Sequence, residues 1–241
     1  MNIKAQIPNL FTMLNLLSGC VALVFVASSN YEMAFYFVCL GILFDFFDGF
    51  FARKFNVTGA LGVQLDSLAD MVTSGVVPGY VMYKMLYEIN FLEQINTFNK
   101  FNSNIVFYIP FLGFIITLGA CYRLAKFNID ERQSDNFIGL PTPANALFIA
   151  SLPLINLALF DNQWVLIGIT FLSVYIMNAE IPLFSLKIKD FSFAKYKLQI
   201  FFLAIAMLLL IFLKIVAVPF IIILYVLLSI ISNLFIKKAS L

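Results

Sequence analysis

The sequence contains no histidine. This absence excludes Ser-His-Asp hydrolysis, histidine-ligated zinc sites and proton switching by an imidazole. Cysteine is scarce as well: Cys20, Cys39 and Cys121 lie far apart within apolar runs. They therefore form neither a CxxC redox site nor a disulfide framework.

Charged residues are also few. Only 12% of the 241 residues are charged, while 62% are hydrophobic. Soluble domains carry about twice that charge, and a membrane-spanning helix needs roughly 20 apolar residues. The net charge of +2 gives no indication of a nucleic-acid partner. The sequence predicts an all-α polytopic membrane bundle, with one integral-membrane domain over residues 1–241.

The apolar blocks predict about eight transmembrane helices, which places both chain termini on one side of the membrane. The spans are expected at 10–29, 31–53, 63–88, 104–126, 143–160, 164–184, 199–216 and 218–236. This topology places 12 of the 15 basic residues on the side of the N-terminus. Basic residues accumulate on the cytoplasmic side. We therefore expect a protein of a bacterial-type cell membrane whose N-terminal side faces the cytoplasm.

Four aspartates interrupt this apolar pattern at the cytoplasmic ends of spans two and three. In FDFFDGFFARKF, residues 44–55, Asp45 and Asp48 share one helix face; Asp66 and Asp70 share a face of the next span. The connection between these spans is short, so the two faces are expected to meet. One aspartate at the centre of a membrane helix costs roughly 2.5–3.5 kcal/mol. Four together need compensating positive charge.

Arg53 and Lys54 can neutralise part of this charge, and a divalent cation does so more effectively. A set of carboxylates without histidine favours a hard ion such as Mg²⁺, Mn²⁺ or Ca²⁺. Gly49 and Ala52 leave the helix face beside Asp48 bare, so that a bulky group can approach the backbone. A carboxylate-held metal beside an open face suits a phosphate or pyrophosphate substrate, and a further carboxylate can accept a proton.

Two alternatives stay open when the residues are considered alone. The aspartates can be helix-end charges that reach out to water. They can also line the path of a divalent-cation transporter. The transporter has no need for a bare face the size of a nucleotide.

The complete pattern resembles the signature of the CDP-alcohol phosphatidyltransferases. It reads Asp-x2-Asp-Gly-x2-Ala-Arg-x8-Gly-x3-Asp-x3-Asp, formed by Asp45, Asp48, Gly49, Ala52, Arg53, Gly62, Asp66 and Asp70. The resemblance implies that a CDP-activated lipid gives its phosphatidyl group to an alcohol and releases CMP. It also implies that the four aspartates hold divalent metal, that Asp70 is the general base, and that the enzyme is a homodimer.

The resemblance further implies how the lipid substrate is bound. Gly49, Ala52, Arg53 and Gly62 are expected to receive the cytidine diphosphate part of CDP-diacylglycerol. Two polar residues at the membrane edge, Asn9 and Thr12, are expected to contact the lipid phosphate. The bound lipid keeps its tails among the membrane lipids.

Within the family, residues 1–150 are similar to members that use L-serine as the acceptor. The stretches are IPNLFTMLN (7–15), LDSLADMVTSGVVP (65–78), RLAKFN (123–128) and GLPTPANA (139–146). Residues 1–150 are therefore expected to form the catalytic part, and residues 151–241 to add further transmembrane helices. Ser74 and Lys126 depart from this pattern, which usually has phenylalanine and arginine there. Sister enzymes that use glycerol 3-phosphate or inositol stay as alternatives.

Serine binding would need a group that recognises its carboxylate. Arg123 can grip a carboxylate with two parallel hydrogen bonds, and Asn128 is a second candidate for the acceptor pocket. The alternative for Arg123 is a topological anchor at the cytoplasmic surface.

Overall fold

The fold is a bundle of helices. In the computed structural model, which describes residues 3–57, 59–96, 108–130, 137–184 and 197–239, nine α-helices follow one another along the chain. They are α1 (Ile3–Ala27), α2 (Tyr31–Phe55), α3 (Ala60–Asp70), α4 (Val77–Asn96), α5 (Ile115–Ile129), α6 (Thr142–Ser151), α7 (Gln163–Asn178), α8 (Lys197–Leu213) and α9 (Ala217–Ala239). The predicted all-α class is confirmed. The start of predicted span four, residues 104–107, lies outside the described residues.

Several of these helices are suited to a bilayer. The described segments long and apolar enough to cross a membrane are Gln6–Ala27, Tyr31–Phe55, Ile109–Ile129 and Lys197–Leu234. Two shorter apolar helices cover Thr142–Leu154 and Gln163–Asn178. This arrangement agrees with a polytopic integral membrane protein, while the count of eight spans stays a prediction.

The long apolar run at the end of the chain folds back on itself. Lys214 adopts a left-handed conformation with φ of 52°, which interrupts the helix between α8 and α9. The rings of Phe202 and Tyr225, on opposite sides of this break, lie 5.6 Å apart between centroids. The two helices therefore form an antiparallel hairpin with Lys214 at its tip, as the separate spans seven and eight predicted.

Small residues let α1 and α2 approach the third helical segment closely. A Cβ atom added to Gly19 of α1 would lie 2.5 Å from Thr73 Oγ1. One added to Gly41 of α2 would lie 2.7 Å from Thr73 Cγ2 and 2.9 Å from Asn15 Oδ1. These distances are too short for real contacts, so the packing of the three segments depends on both glycines.

A π-helical stretch, Met71–Val76, joins α3 to α4 directly after Asp70. Its wider turn leaves carbonyl groups that need other partners. The Thr117 hydroxyl, one turn into α5, donates to the Gly75 carbonyl at 3.0 Å. Thr73 within the stretch donates to the backbone carbonyl of Asn15 at 3.0 Å. The irregular segment is thus held from both sides, by α1 and by α5.

A tight turn connects α2 to α3. Asn56 caps α2 in the left-handed conformation, and its N–H donates to the carbonyls of Ala52 and Arg53. Gly59 then starts α3 in an extended conformation. The short connection places α2 and α3 so that their aspartate side chains meet, as the sequence predicted. The predicted packing of the two helices against each other is not observed in the described part of the chain, because α3 packs mainly against α1.

A two-residue strand pair lies near the same end of the bundle. Strand β1 (Phe137–Ile138) is antiparallel to β2 (Pro182–Leu183). The sequence did not predict this pair, because two residues are too few for a periodic signal. We call the end of the bundle where α2, α5 and α7 finish and α3 and α6 begin the acidic end.

We expect Gly113→Ala to destabilise the protein. A Cβ at Gly113 would meet the backbone nitrogen of Tyr83, and the Met82 carbonyl carbon at 2.9 Å. Backbone cannot move aside as a flexible side chain does, so the cost is about 1–3 kcal/mol, which corresponds to a fall in Tm of about 2–10 °C. Thermal unfolding of the detergent-solubilised protein, followed by circular dichroism, measures this shift.

Gly168→Ala is the matched control for that variant. A Cβ at Gly168 of α7 meets no atom within 4 Å, and alanine stabilises a helix more than glycine does. The Tm should stay unchanged or rise slightly. An equal fall in both variants would contradict the packing argument.

Candidate metal and lipid-phosphate site

The four predicted aspartates lie at the acidic end, and the structure brings three of them together. One carboxylate oxygen each of Asp45, Asp48 and Asp66 lies within 4.8 Å of the others. Asp48 is buried, whereas Asp45 and Asp66 are half-buried. Asp70 is buried one turn further along α3 and lies outside this three-carboxylate group. We call these three residues the carboxylate cluster.

The first helix supplies hydrogen-bond donors to two of the four aspartates. The Thr12 hydroxyl donates to Asp48 Oδ2 at 2.7 Å. The Asn15 amide donates to Asp70 Oδ1 at 3.0 Å. Both donors are buried, so the bonds are shielded from competing water. Helix α1 therefore fixes one carboxylate on α2 and one on α3.

Asn15 belongs to the candidate site through its bond to Asp70, and the sequence did not predict it. It lies in the apolar run TMLNLL, three residues after Thr12, and its side chain is fully buried. Positions i and i+3 share a helix face. This spacing was the available signal, because a polar pair on one face of an apolar span indicates a buried polar partner.

The basic side chains nearest to the cluster in sequence, Arg53 and Lys54, leave most of its negative charge uncompensated. Arg53 is exposed, and its Nη1 atom lies 3.3 Å from the place a Cβ would take at Gly49. Lys54 is also exposed, with its ammonium 5.8 Å from the Phe50 ring centroid. Solvated cations screen buried carboxylates weakly, so most of the repulsion within the cluster needs another counter-charge.

The cluster fits a hard divalent cation. Its donors are all carboxylate oxygens, the ligands that Mg²⁺, Mn²⁺ and Ca²⁺ prefer. Asp66 Oδ1 is buried and has no hydrogen-bond partner among the described residues. A buried carboxylate oxygen without a donor is costly, and a cation would satisfy it. The side chains that would hold it are Asp45, Asp48 and Asp66.

The three small residues of the signature, Gly49, Ala52 and Gly62, have different surroundings. The face of α3 is open at Gly62, where the nearest atom to an added Cβ would be Asn9 Oδ1 at 3.9 Å. At Gly49 the guanidinium of Arg53 covers the space instead, and Ala52 is half-buried. The bare surface next to the cluster is therefore formed mainly by the start of α3.

Arg123 and Asn128, the predicted acceptor residues, project from the last turns of α5. Asn128 donates to the Ser67 hydroxyl at 2.8 Å, which ties it to α3 between Asp66 and Asp70. Arg123 donates through Nε to the Met177 carbonyl at 3.1 Å and through Nη2 to the Gly139 carbonyl at 3.2 Å.

Arg123 thus connects the end of α7 with the turn after β1. Its exposed fraction is only 7%, which disagrees with the alternative of a solvated surface anchor. A guanidinium carries five N–H donors, so these two bonds leave others for a ligand.

The two departures from the serine-type pattern also have defined surroundings. Ser74 is fully buried in the π-helical stretch, and its hydroxyl has no partner within the described part of the chain. Lys126 forms an ion pair with Glu180 at 3.6 Å. Ser74 is therefore part of the packed interior, whereas Lys126 is half-buried and pairs with an exposed glutamate.

We expect Asp45→Asn, Asp48→Asn and Asp66→Asn each to lower the affinity for Mn²⁺ at least tenfold. Each change removes a charged oxygen ligand from the cluster. Titration of the purified protein with Mn²⁺, followed by the electron paramagnetic resonance of the free ion, measures the affinity without any substrate.

Asp161→Asn is the matched control for these variants. Asp161 is exposed and precedes α7, at the opposite end from the cluster. Its replacement should leave the tightest Mn²⁺ site unchanged. Wild-type affinity in all three cluster variants would contradict the assignment.

Comparison with known proteins relates the chain that carries this site to a protein family. A sequence profile of the CDP-alcohol phosphatidyltransferases matches residues 5–186. The CDP-diacylglycerol–serine O-phosphatidyltransferase of Helicobacter pylori is 30% identical over 213 residues, 86% of this chain and 81% of that protein. The enzyme of the same name from Methanocaldococcus jannaschii is 33% identical over 169 residues, 69% of this chain and 71% of that protein.

A shorter similarity agrees with these two. The enzyme of that name from Bacillus subtilis is 33% identical over 141 residues, 57% of this chain and 69% of that protein. The profile match over residues 5–186 includes the carboxylate cluster, Asp70 and all but the first two residues of α1. The chain belongs to the CDP-alcohol phosphatidyltransferase family.

Proposed function

We propose that this protein transfers the phosphatidyl group from CDP-diacylglycerol to L-serine, giving phosphatidylserine and CMP. The observation that carries the proposal is the carboxylate cluster, formed by family-signature aspartates on two helices that a short turn brings together. The names of the relatives support serine as the acceptor. The similarity to the Helicobacter pylori enzyme covers 86% of this chain, which supports assigning the activity to the chain as a whole.

The proposed reaction is a displacement at phosphorus. The serine hydroxyl oxygen forms a bond to the phosphorus that carries the diacylglycerol, and the bond from that phosphorus to the bridging oxygen breaks. CMP leaves with the bridging oxygen, and the hydroxyl proton passes to a base. Asp45, Asp48 and Asp66 would hold a divalent cation, whose positive charge would neutralise the phosphoryl oxygens and stabilise leaving CMP. Mg²⁺ and Mn²⁺ are the proposed ions, with Ca²⁺ as a further hard ion.

Asp70 is the proposed base. The side-chain N–H of Asn15 donates a hydrogen bond to Asp70 Oδ1. Because this N–H group can only donate, Oδ1 is occupied as the acceptor of that bond. This bond fixes the rotation of the carboxylate and leaves Oδ2 as the oxygen that takes the proton. Asp70 was also predicted as a metal ligand, and that role stays a prediction because it lies outside the carboxylate cluster.

The remaining site residues are proposed to bind the two substrates. The open face at Gly62, with Asn9 beside it, is suited to the cytidine diphosphate, and Arg53 over Gly49 can turn to a phosphate. The Thr12 hydroxyl contacts Asp48, which supports a role in holding the cluster beside the lipid phosphate. Arg123 and Asn128 are proposed to bind serine from the α5 side.

The proposed placement in the cell is supported by the distribution of basic residues in the sequence. We propose that the acidic end faces the cytoplasm, where serine and CMP exchange, and that the lipid tails stay in the bilayer. Residues 1–150 are proposed as the catalytic part, with residues 151–241 as additional helices. A homodimer is the assembly that the family suggests.

Acceptor preference is measured with purified protein, CDP-diacylglycerol and one alcohol at a time. We expect CMP release with L-serine to exceed that with glycerol 3-phosphate or inositol by at least 100-fold. Activity with another alcohol and none with serine would contradict the acceptor assignment. Flux of Mn²⁺ into liposomes without CMP release would favour the transporter alternative.

We expect Asp70→Asn to lower kcat by about 10²–10⁴-fold, the range of general-base catalysis. An amide cannot take the hydroxyl proton, although it has nearly the same shape. Binding of CDP-diacylglycerol, measured separately, should change little. Near-normal turnover in a correctly folded variant would refute the base.

Asn15→Leu tests whether α1 positions that base. We expect kcat to fall about tenfold while the KM for CDP-diacylglycerol stays within twofold, because one buried hydrogen bond to a charged group is lost. Ser18→Ala is the control on the same helix, since the Ser18 hydroxyl donates to the Leu14 carbonyl of α1 itself. A rise in KM with unchanged kcat would contradict a positioning role.

A further inference from the structure

The C-terminal hairpin of α8 and α9 contacts the acidic end through β2. The side-chain amide of Asn233, near the end of α9, donates to the Pro182 carbonyl of β2. The Tyr225 hydroxyl, about two turns earlier on α9, donates to the Phe184 carbonyl at 2.9 Å. Two side chains of one helix therefore bind carbonyls of β2 and of the residue that follows it. Both donors lie beyond residue 186, where the family match ends.

Aromatic packing fixes the position of Tyr225. Its ring centroid lies 4.9 Å from that of Phe184 and 5.6 Å from that of Phe202 on α8. The side chain is buried, and aromatic rings at these separations have preferred relative orientations. The hydroxyl is therefore held in one place against the segment after β2.

The polar side chains of this pair share a face of α9 with a third one. Tyr225, Ser229 and Asn233 follow one another at a spacing of four residues in a mainly apolar stretch. The Ser229 hydroxyl donates to the Tyr225 carbonyl of α9 itself at 2.8 Å. Polar side chains between membrane helices form specific hydrogen bonds that apolar packing cannot supply. Tyr225 and Asn233 are the members of this face that join α9 to β2.

Strand β2 in turn holds the turn that follows β1. The two strands are antiparallel, and the Gly139 N–H, directly after β1, donates to the Ile181 carbonyl at 2.9 Å. The next N–H, of Leu140, donates to the Ile176 carbonyl of α7 at 3.1 Å. Gly139 has a φ of 74°, and a Cβ there would overlap the Met177 carbonyl oxygen. The turn is therefore fixed against β2 and against the end of α7.

The same turn binds Arg123. The Gly139 carbonyl accepts from Nη2 at 3.2 Å, and the Met177 carbonyl accepts from Nε at 3.1 Å. A guanidinium is planar, so two bonds on different nitrogens fix its plane and the directions of its remaining donors. A continuous path of contacts thus runs from Tyr225 and Asn233 through β2 and the turn to Arg123.

We propose that Tyr225 and Asn233 are positioning residues of the acceptor site. They act through β2 and the turn at Gly139, which orients the Arg123 guanidinium towards the serine carboxylate. This inference rests on the proposed function, because Arg123 is assigned to serine there. The C-terminal hairpin then has a defined part in acceptor binding, in addition to crossing the membrane.

Steady-state kinetics of a Tyr225→Phe/Asn233→Leu double variant tests the proposal. Phenylalanine keeps the ring of Tyr225, and leucine is close to asparagine in size. We expect the KM for L-serine to rise about threefold to tenfold, with kcat and the KM for CDP-diacylglycerol within twofold. A loosened Arg123 weakens ground-state and transition-state binding alike. An unchanged KM for serine, in the folded double variant or in Tyr225→Phe alone, would overturn the proposal.

Ser229→Ala is the matched control on the same face of α9. Ser229 is buried between the two positioning residues, but its hydroxyl bonds within α9. All three kinetic constants should stay within twofold of the wild type. A rise in the KM for serine equal to that of the double variant would overturn the proposal, since any change in α9 would then have the same effect.

A double-mutant cycle with Arg123 separates positioning from general stabilisation. Arg123→Lys keeps the charge but removes the planar fork of donors. In that background, Tyr225→Phe should add less than a twofold rise in the KM for serine, because the group through which it acts is absent. Rises that multiply as for independent sites would overturn action through Arg123.

Hydrogen–deuterium exchange tests the path without any substrate. The bonded N–H groups of Gly139 and Leu140 report on the turn. We expect their peptide to exchange at least fivefold faster in the double variant, while the α1 peptide containing Thr12 stays unchanged. Unchanged exchange at the turn would overturn the path, whichever alcohol is the acceptor. A wild-type protein without serine-dependent CMP release would instead be a failure of the proposed function.

Discussion

The structure depends on the burial of negative charge at one end of an apolar bundle. Asp45, Asp48 and Asp66 place carboxylate oxygens within 4.8 Å of one another, with Asp48 buried and the other two half-buried. Charges of one sign at such separations repel strongly in a medium of low polarity. A cation among the three would relieve this repulsion, and hydrogen-bond donors stabilise the surrounding carboxylates. The neighbouring helices supply those donors.

Helix α1 has the central part in this arrangement. It contacts α2 through the bond from Thr12 to Asp48, and α3 through the bond from Asn15 to Asp70. Both contacts require close packing, which Gly19 and Gly41 allow. The hydroxyl of Thr73 in the π-helical stretch then holds the backbone of Asn15. The residues that hold Asp70, the proposed base, are thus spread over three helical segments, although the signature itself lies on two.

Much of the site could be predicted because its signals are local. The spacing within FDFFDGFFARKF and LDSLAD assigns each aspartate to a helix face, and the short connection brings the faces together. The contact of Asn15 with Asp70 depends on how α1 docks, and a single sequence gives no information on such docking. The strand pair β1–β2 was not predicted because two residues give no periodic signal. The burial of Arg123 against the carbonyls of Met177 and Gly139 is likewise set by tertiary packing.

The most direct test of the account is where a divalent cation binds in the folded protein. A crystal structure with Mn²⁺ and a CDP-containing lipid, with anomalous scattering recorded above the manganese edge, locates the ion without ambiguity. The account predicts an anomalous peak within coordination distance of carboxylate oxygens from Asp45, Asp48 and Asp66. Occupied nucleotide density with no peak at these three residues would contradict it.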